Sequence, residues 1–252
     1  MRFAIPELAT VFMLIFARVG TLVMLLPGTG ERLVPARLRL ALALLLTLIL
    51  LPLARTLVPE GREPAAVIAT MLGEIAVGLV LGLSARIVMG ALQVAGSVIA
   101  QELGLSFAMT VDPTQGAGQE AAIGNFLTLL GVTLIFATDL HHLALRAIYD
   151  SYGLFPPGLF PDAADAAQLA IRAVVRTFVL AVQISAPFIA FAFLFNLGLG
   201  ILARLMPQMQ VFFLAMPLTI FAGVLILLAV LGLMMGLFVQ DLGRFLTGFG
   251  LN

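Results

Sequence analysis

His141 and His142 are adjacent, with Asp139 two residues before the first of them, and these residues are the best suited by type to metal chemistry. Imidazole nitrogens and carboxylate oxygens are ligands that zinc and related ions accept. Adjacent side chains on a helix nevertheless point about 100° apart, so this pair lacks the chelating geometry of an i,i+4 spacing. The spacing therefore favours a packing or interfacial role, and the sequence predicts no metal and no cofactor.

Covalent catalysis has equally little support in the sequence. Ser84 has no matching second half of an intramembrane serine-protease site. Cysteine is absent, which excludes disulfides and thiolate metal sites. No glycine-rich stretch follows a strand pattern, so a nucleotide-binding loop is not predicted. An intramembrane enzyme is therefore the least favoured class of function.

Five charged residues lie within or at the ends of strongly apolar stretches, where a charge costs about 2.5–3.5 kcal/mol at a helix centre. They are expected to face protein or water and to be paired. Glu74 is the natural partner for an arginine, but the sequence does not say for which one. Two interpretations stay open: a structural role, by a salt bridge or by snorkelling, or a role in a transport path. The five residues are Arg18, Glu74, Arg86, Arg172 and Arg176.

The composition identifies the environment of these charges. Of the 252 residues, 62% are hydrophobic and 10% are charged, against about 25% charged residues in soluble proteins. With a mean hydropathy of +1.17, the chain is predicted to be an integral membrane protein that contacts lipid. A net charge of zero gives no support to a nucleic-acid partner. The N-terminal apolar run contains Arg18 and is predicted to be a retained helix rather than a cleaved signal peptide.

Apolar blocks divide the chain into about six or seven helical passes, since one crossing needs about 20 apolar residues. The predicted fold class is therefore all-α, an integral membrane protein of helical hairpins. Some blocks exceed one crossing, so they are hairpins, kinked helices or helices that extend beyond the bilayer. Pro187 and Pro217 are candidate kinks. The blocks are Leu8–Leu26, Leu40–Ala54, Ala65–Ala100, Ala121–Thr138, Thr177–Ala203 and Leu205–Gln240.

Residues 102–120 depart from the helical pattern. Apolar side chains alternate with small or polar ones from residue 103 to residue 112, a period of two that is typical of extended chain. Asp112-Pro113 and the glycines that follow then interrupt regular structure. Non-helical backbone cannot face lipid, because each unsatisfied polar group costs several kcal/mol there. The segment is therefore either a loop in the aqueous phase or a re-entrant, pore-lining segment.

Four stretches, spread over nearly the whole chain, carry a resemblance to a known family. They are Ala17–Leu42, Gln93–Gly116, His141–Pro156 and Arg204–Pro217. In order and spacing they resemble flagellar biosynthetic protein FliR and its counterparts in type III secretion export gates. At four positions this sequence has a residue other than the one common in the family, which affects local contacts but not the assignment to the family. These positions are Ser97, Leu140, Gln210 and Thr219.

The resemblance implies a subunit of the flagellar export gate in the bacterial inner membrane, present as a single copy. It implies assembly with the P and Q gate components into an all-α pore for unfolded flagellar proteins, with the B component docking nearby. Residues 1–160 would resemble the P component, and the hairpin 166–252 the Q component. Phe155-Pro156-Pro157-Gly158 marks the division, after which Asp162 or Asp165 is expected to cap a helix.

The resemblance also implies that residues 102–120 form a plug-like, non-helical loop that closes the pore. Its apolar side chains would seal the pore, and its glycines and proline would allow the conformation. Deleting residues 106–118 should then raise ion leakage without blocking assembly. The alternative function is a stand-alone secondary transporter of a small solute, which would use arginines and Glu74 near the midplane. The sealing residues would be Leu105, Phe107, Met109 and Val111, and the permissive ones Gly104, Pro113, Gly116 and Gly118.

Overall fold

The computed structural model describes residues 5–31, 34–54, 64–105, 113–158, 160–206 and 211–248, and in these ranges the regular structure is helical throughout. The all-α fold class predicted from the sequence is therefore confirmed. The described helices are α1 (Ile5–Leu25), α2 (Ala36–Ala54), α3 (Pro64–Met89), α4 (Ala91–Glu102), α5 (Pro113–Ala137), α6 (Leu140–Leu154), α7 (Ala163–Leu205) and α8 (Val211–Thr247).

The apolar blocks in the C-terminal part of the chain lie in long single helices, whereas Ala65–Ala100 is divided at Gly90 between α3 and α4. Helix α7 has 43 residues and α8 has 37, and Pro187 and Pro217 lie inside them. At 1.5 Å per residue, α7 is about 65 Å long, roughly twice the hydrocarbon thickness of a bilayer. By length and composition, four helical segments of the described residues are able to cross a membrane, and the pair Ala122–Ala137 and Leu140–Leu154 adds a fifth if it forms one broken span.

Proline and aspartate mark several helix beginnings. Pro64 and Pro113 are the first residues of α3 and α5, a position where the missing N–H of proline costs nothing and its fixed φ suits the helix. The expected cap of α7 is Asp162, whose Oδ1 accepts a hydrogen bond of 2.9 Å from the N–H of Ala164. Asp165 lies inside the first turn of the same helix, where its negative charge suits the helix dipole.

The described residues form two compact units that are each assembled from separate stretches of chain. The first contains residues of 1–88, 135–176 and 242–252, and the second contains residues of 89–134 and 177–241. The division into these units differs from the predicted boundary near residue 160. That boundary separates the segments expected to resemble the P and Q gate components, so it stays a prediction. The buried core of the first unit includes Ile15, Val19, Leu81 and Ile148, and that of the second includes Leu92, Leu127, Ile184, Phe188 and Phe238.

Within the second unit, α4 and α5 touch backbone to backbone. A methyl group built on Gly96 would overlap the backbone of Gly124, and one built on Gly124 would lie 2.7 Å from Nε2 of Gln93. Small residues allow such close approach, which is how helices in membranes gain packing energy without a hydrophobic driving force. The contact makes α4 and α5 a tight hairpin whose tip lies between Glu102 and Pro113.

Replacing Gly96 with leucine is expected to lower the midpoint of thermal unfolding in detergent. The new side chain meets backbone that cannot rotate away, so the cost should reach about 3 kcal/mol, the upper end of ordinary overpacking. The matched control is Gly198→Leu in α7, where a side chain meets nothing within 4 Å and where the gain in helix propensity is the same. Equal midpoints for the two variants would show that the α4–α5 contact is not formed.

Candidate functional site

The centre of the first unit is a buried ion pair between α1 and α3. Nε of Arg18 donates to Oε2 of Glu74 at 2.6 Å, and the side chains are 0% and 2% exposed. Burying either charge alone would be strongly unfavourable, so each residue requires the other. The arginine that the sequence left unassigned as the partner of Glu74 is therefore Arg18.

The remaining donors of Arg18 hold the end of α6. Its Nη1 donates to the carbonyl of Ser151 at 3.0 Å, and its Nη2 donates to the carbonyl of Phe155 at 2.9 Å. These two carbonyls lie in the last turn of α6 and just beyond it, where carbonyls run short of partners within the helix, although that of Ser151 also accepts a hydrogen bond of 3.0 Å from the N–H of Phe155. Arg18 therefore caps the C-terminus of α6 from a different helix.

An aromatic ring and a turn complete the site. The guanidinium carbon of Arg18 lies 4.2 Å from the ring centroid of Tyr152, a distance at which the cation is attracted to the ring face. Oε1 of Glu74 accepts a hydrogen bond of 3.3 Å from the N–H of Gly158. The pair thus binds α1, α3, α6 and the turn before α7 to one another, while the Tyr152 hydroxyl is buried without a hydrogen-bond partner among the described residues.

The helix faces that carry the pair are shaped for close packing. A methyl group on Gly78 would lie 2.8 Å from Cβ of Thr21, and one on Gly82 would lie 2.7 Å from Cβ of Leu25. Glu74, Gly78 and Gly82 recur every four residues, so they form one stripe of α3 that lies against α1. The two glycines bring the helices close enough for the short contact between Arg18 and Glu74.

The other charges predicted to be buried have different surroundings. Arg86, expected to be buried, is exposed in this chain and lies in the last turn of α3, where a cation suits the negative end of the helix dipole. That expectation was wrong for Arg86. Arg172 is also exposed, and Arg176 is half-buried with its guanidinium carbon 5.6 Å from the ring centroid of Phe245.

The predicted plug segment is only partly described. Helix α4 ends at Glu102, and Gly104 has a φ of +72°, so the chain leaves the helix through a left-handed turn that favours glycine. Leu103 is buried against Gly223 of α8, and Leu105 is half-buried. The proposed sealing residues Phe107, Met109 and Val111 lie outside the described residues.

The C-terminal part of the segment predicted to be non-helical is in fact helical. Helix α5 begins at Pro113, so Pro113, Gly116 and Gly118 belong to a helix and residues 113–120 are not a loop. The alternation and the glycines suggested extended chain, but proline at the first helical position favours a helix start, and interior glycines only weaken a helix.

A cavity of about 200 Å³ lies beside this turn in the second unit. Glu102 and Gly104 border it at the end of α4, and helices α7 and α8 provide the opposite walls. Its lining mixes carboxylate, amide and hydroxyl groups with apolar side chains. The lining residues include Gln101, Glu102, Asn196 and Thr219 among the polar ones and Leu103, Phe195 and Leu199 among the apolar ones.

Asp139, His141 and His142 are closer together than the sequence indicated. One ligand atom from each residue lies within 4.8 Å of the others, and the two imidazole ring centroids are 4.1 Å apart. The expectation that adjacent histidines diverge rests on the directions of their Cβ atoms. At the start of a helix no preceding turn confines the side chains, so the rings are able to lean together.

The hydroxyl groups in the helices do not form a catalytic arrangement with each other in the described residues. Ser84 donates to the carbonyl of Val80 at 2.7 Å, four residues earlier in its own helix. Thr21 and Ser185 bond in the same way to Ala17 and Ala181 at 2.7 Å and 2.8 Å. Such bonds satisfy hydroxyls inside an apolar environment. Ser84 is therefore engaged as a structural group.

Together, the long apolar helices, the glycine-mediated packing and the buried ion pair define a polytopic membrane protein of helical hairpins. Residues 9–245 match the family described as "Bacterial export proteins, family 1", and the chain belongs to that family. The resemblance drawn from the sequence is thereby confirmed.

Curated relatives agree with this assignment. The chain is 42% identical to flagellar biosynthetic protein FliR of Caulobacter vibrioides over 85% of both proteins. It is 33% identical to the FliR protein of Bacillus subtilis over 89% of this chain and 87% of that protein. A more distant relative is Yop proteins translocation protein T of Yersinia pestis, with 29% identity over 57% of this chain and 56% of that protein.

Proposed function

We propose that this chain is a subunit of the flagellar type III export gate in the bacterial inner membrane, where it forms part of the pore for unfolded flagellar proteins. The observation that carries the proposal is the 42% identity to a flagellar biosynthetic protein over 85% of both chains. The flagellar assignment is favoured over virulence secretion because the similarity to the Yersinia translocation protein covers only 57% of the chain. The proposed role involves no catalytic reaction.

The proposed partners are the P and Q components of the gate, with the B component docking nearby. In this arrangement the segment of residues 1–160 is the counterpart of the P component and the hairpin 166–252 is the counterpart of the Q component. Support comes from the C-terminal helices α7 and α8, which at 43 and 37 residues are longer than the about 20 residues of one crossing and carry many exposed apolar side chains. Examples are Phe193, Leu194, Phe221 and Leu228, each more than 60% exposed.

The proposed closure of the pore depends on the tip of the α4–α5 hairpin. The Gly96–Gly124 contact and the burial of Leu103 fix the base of the tip, and Gly104 turns the chain there. Leu105 and the residues up to 112 then supply the alternating apolar side chains of the seal. A seal on a short connection that is held at its base by packed helices is able to close a pore and to move without unfolding those helices.

Native mass spectrometry of the chain co-expressed with its P and Q components tests the gate assignment. The expected result is one copy of this chain in a larger hetero-oligomer. The chain expressed alone is the control, and it should not form that species. A stable monomer or homodimer in the presence of both components would contradict the gate and favour the secondary transporter, for which solute uptake and Glu74 variants would then be measured.

A further inference from the structure

Asp139, His141 and His142 bring two imidazoles and one carboxylate to one place at the start of α6. Oδ1 of Asp139 and Nδ1 of His142 are 3.5 Å apart, and a ligand atom of His141 lies within 4.8 Å of both residues' ligand atoms. Two ligands of one tetrahedral zinc ion lie about 3.4 Å apart, given bonds of about 2.0–2.1 Å. The Asp139–His142 separation of 3.5 Å is close to this value, and the ligand atom of His141 is within 4.8 Å of both.

A buried nitrogen of His141 supplies an independent argument for a ligand at this place. Its Nδ1 is buried, and it has no hydrogen-bond partner within the stretches of chain that the structure describes. A buried polar atom without a partner costs about 1–3 kcal/mol, whether it carries a proton or a lone pair. A metal ion bound by the neutral ring would use that lone pair directly. Phe136 lies against the ring at 5.3 Å between centroids and limits its rotation.

Asp139 behaves as a ligand rather than as a helix cap. It occupies the N-cap position of α6, where aspartate ordinarily accepts a hydrogen bond from the helix N–H groups, yet its side chain makes no such bond. Its carboxylate is instead directed to His142. Both of these side chains are exposed and His141 is half-buried, so an ion would reach the cluster from solvent.

We propose that Asp139, His141 and His142 bind a divalent transition-metal ion of borderline softness, with zinc as the representative ion. Imidazole nitrogens select such ions over magnesium and calcium, and the absence of cysteine in the chain excludes a thiolate site for softer ions. Three protein ligands leave one coordination position open to water or to a group from another chain. The carboxylate offsets the positive end of the helix dipole, which would otherwise repel the ion.

Such an ion would fix the junction between α5 and α6. The cluster follows the end of α5 at Ala137, and Asp139 has a φ of +59°, a left-handed conformation at the break between the two helices. Binding would link the side chain at the break to the first turn of α6. This role is independent of the export function proposed above, and it concerns the rigidity of one joint in the chain.

The test uses the full chain with an affinity tag that contains no histidine, purified in detergent after removal of metal with a chelator. Zinc is then added and unbound metal is removed. The number of zinc ions bound per chain is measured by inductively coupled plasma mass spectrometry. Competition with a chromophoric chelator gives the affinity. The variants are Asp139→Asn, His141→Phe and His142→Ala, and the control is Asp165→Asn, an acidic residue near the start of another helix.

The wild type and Asp165→Asn are expected to bind one zinc ion per chain. Each variant of the cluster should lose at least about tenfold in affinity, since even indirect partners of a metal ligand contribute about 10–100-fold. Because His142 is exposed, His142→Ala should leave the metal-free midpoint of thermal unfolding unchanged, and zinc should stabilise the wild type but not this variant. Equal zinc binding by the wild type and His142→Ala would overturn the proposal, whatever the outcome of the gate experiment.

Discussion

Replacing Glu74 with alanine is expected to lower the stability of the chain by about 3–5 kcal/mol, because the guanidinium of Arg18 would stay buried without an anion. The same change removes the acceptor for the N–H of Gly158, so the turn before α7 also loses a contact. The measurement is the midpoint of thermal unfolding in detergent, together with the amount of chain that accumulates in membranes.

Two further variants separate the charge from the packing. Arg18→Met with Glu74→Leu removes both charges and should recover a fraction of the loss, while the carbonyl of Phe155 stays without the donor it had. Asp150→Ala is the matched control, since Asp150 belongs to a partly exposed ion pair of 3.5 Å with Arg146 and should contribute less than about 1 kcal/mol. A Glu74→Ala chain as stable as Asp150→Ala would refute the central role of the pair.

Removing the tip of the α4–α5 hairpin is expected to raise the ion conductance of the assembled gate severalfold while leaving assembly intact. The deletion should cover 106–112 rather than extend to 118, because α5 begins at Pro113 and a longer deletion would cut into the helix. The Gly96–Gly124 contact lies outside the deleted stretch and should hold the hairpin together. Conductance is measured in planar bilayers with the complex of this chain and its gate components.

The control for this deletion replaces residues 106–112 with a serine–glycine linker of equal length. The linker keeps the connection but lacks the alternating apolar side chains, so it should leak as the deletion does. If both variants assemble and conduct no more than the wild type, the proposed seal is wrong while the gate assignment stands. If neither assembles, native mass spectrometry reports that separately, and a single Leu105→Ser change then provides the conductance test.

The helical, membrane-embedded character of the chain follows from its sequence because apolar length and low charge are local properties. The same holds for the start of α7, where Asp162 caps the helix as expected. The lengths of the helices are harder to predict from the sequence. Whether a block of 36 apolar residues folds back on itself depends on what packs beside it, and Pro187 and Pro217 did not end α7 or α8.

The site was predictable in kind but not in detail. The sequence showed that Glu74 needs an arginine, but the partner lies 56 residues away and the capped carbonyls of Ser151 and Phe155 lie more than 130 residues from Arg18. Side-chain type and local pattern do not encode such distances. Arg86 also lies in an apolar block and was expected to be buried for the same reason, but its side chain is exposed. The start of α5 at Pro113 is hidden in the sequence because Gly116 and Gly118, which lie in its first turns, are more typical of a loop.

The way in which Arg18 holds α6 has a consequence for how this chain can vary through evolution. Its two contacts at the end of α6 are to main-chain carbonyls, which every amino acid possesses. Positions 151 and 155 are therefore able to change identity without removing these carbonyls, whereas position 158 favours glycine, because Gly158 donates its N–H to Glu74 from a left-handed conformation with a φ of +91°. Across relatives, substitutions should therefore be coupled between the positions whose side chains meet, 18 with 74 and 18 with 152, although the joint spans four segments of the fold.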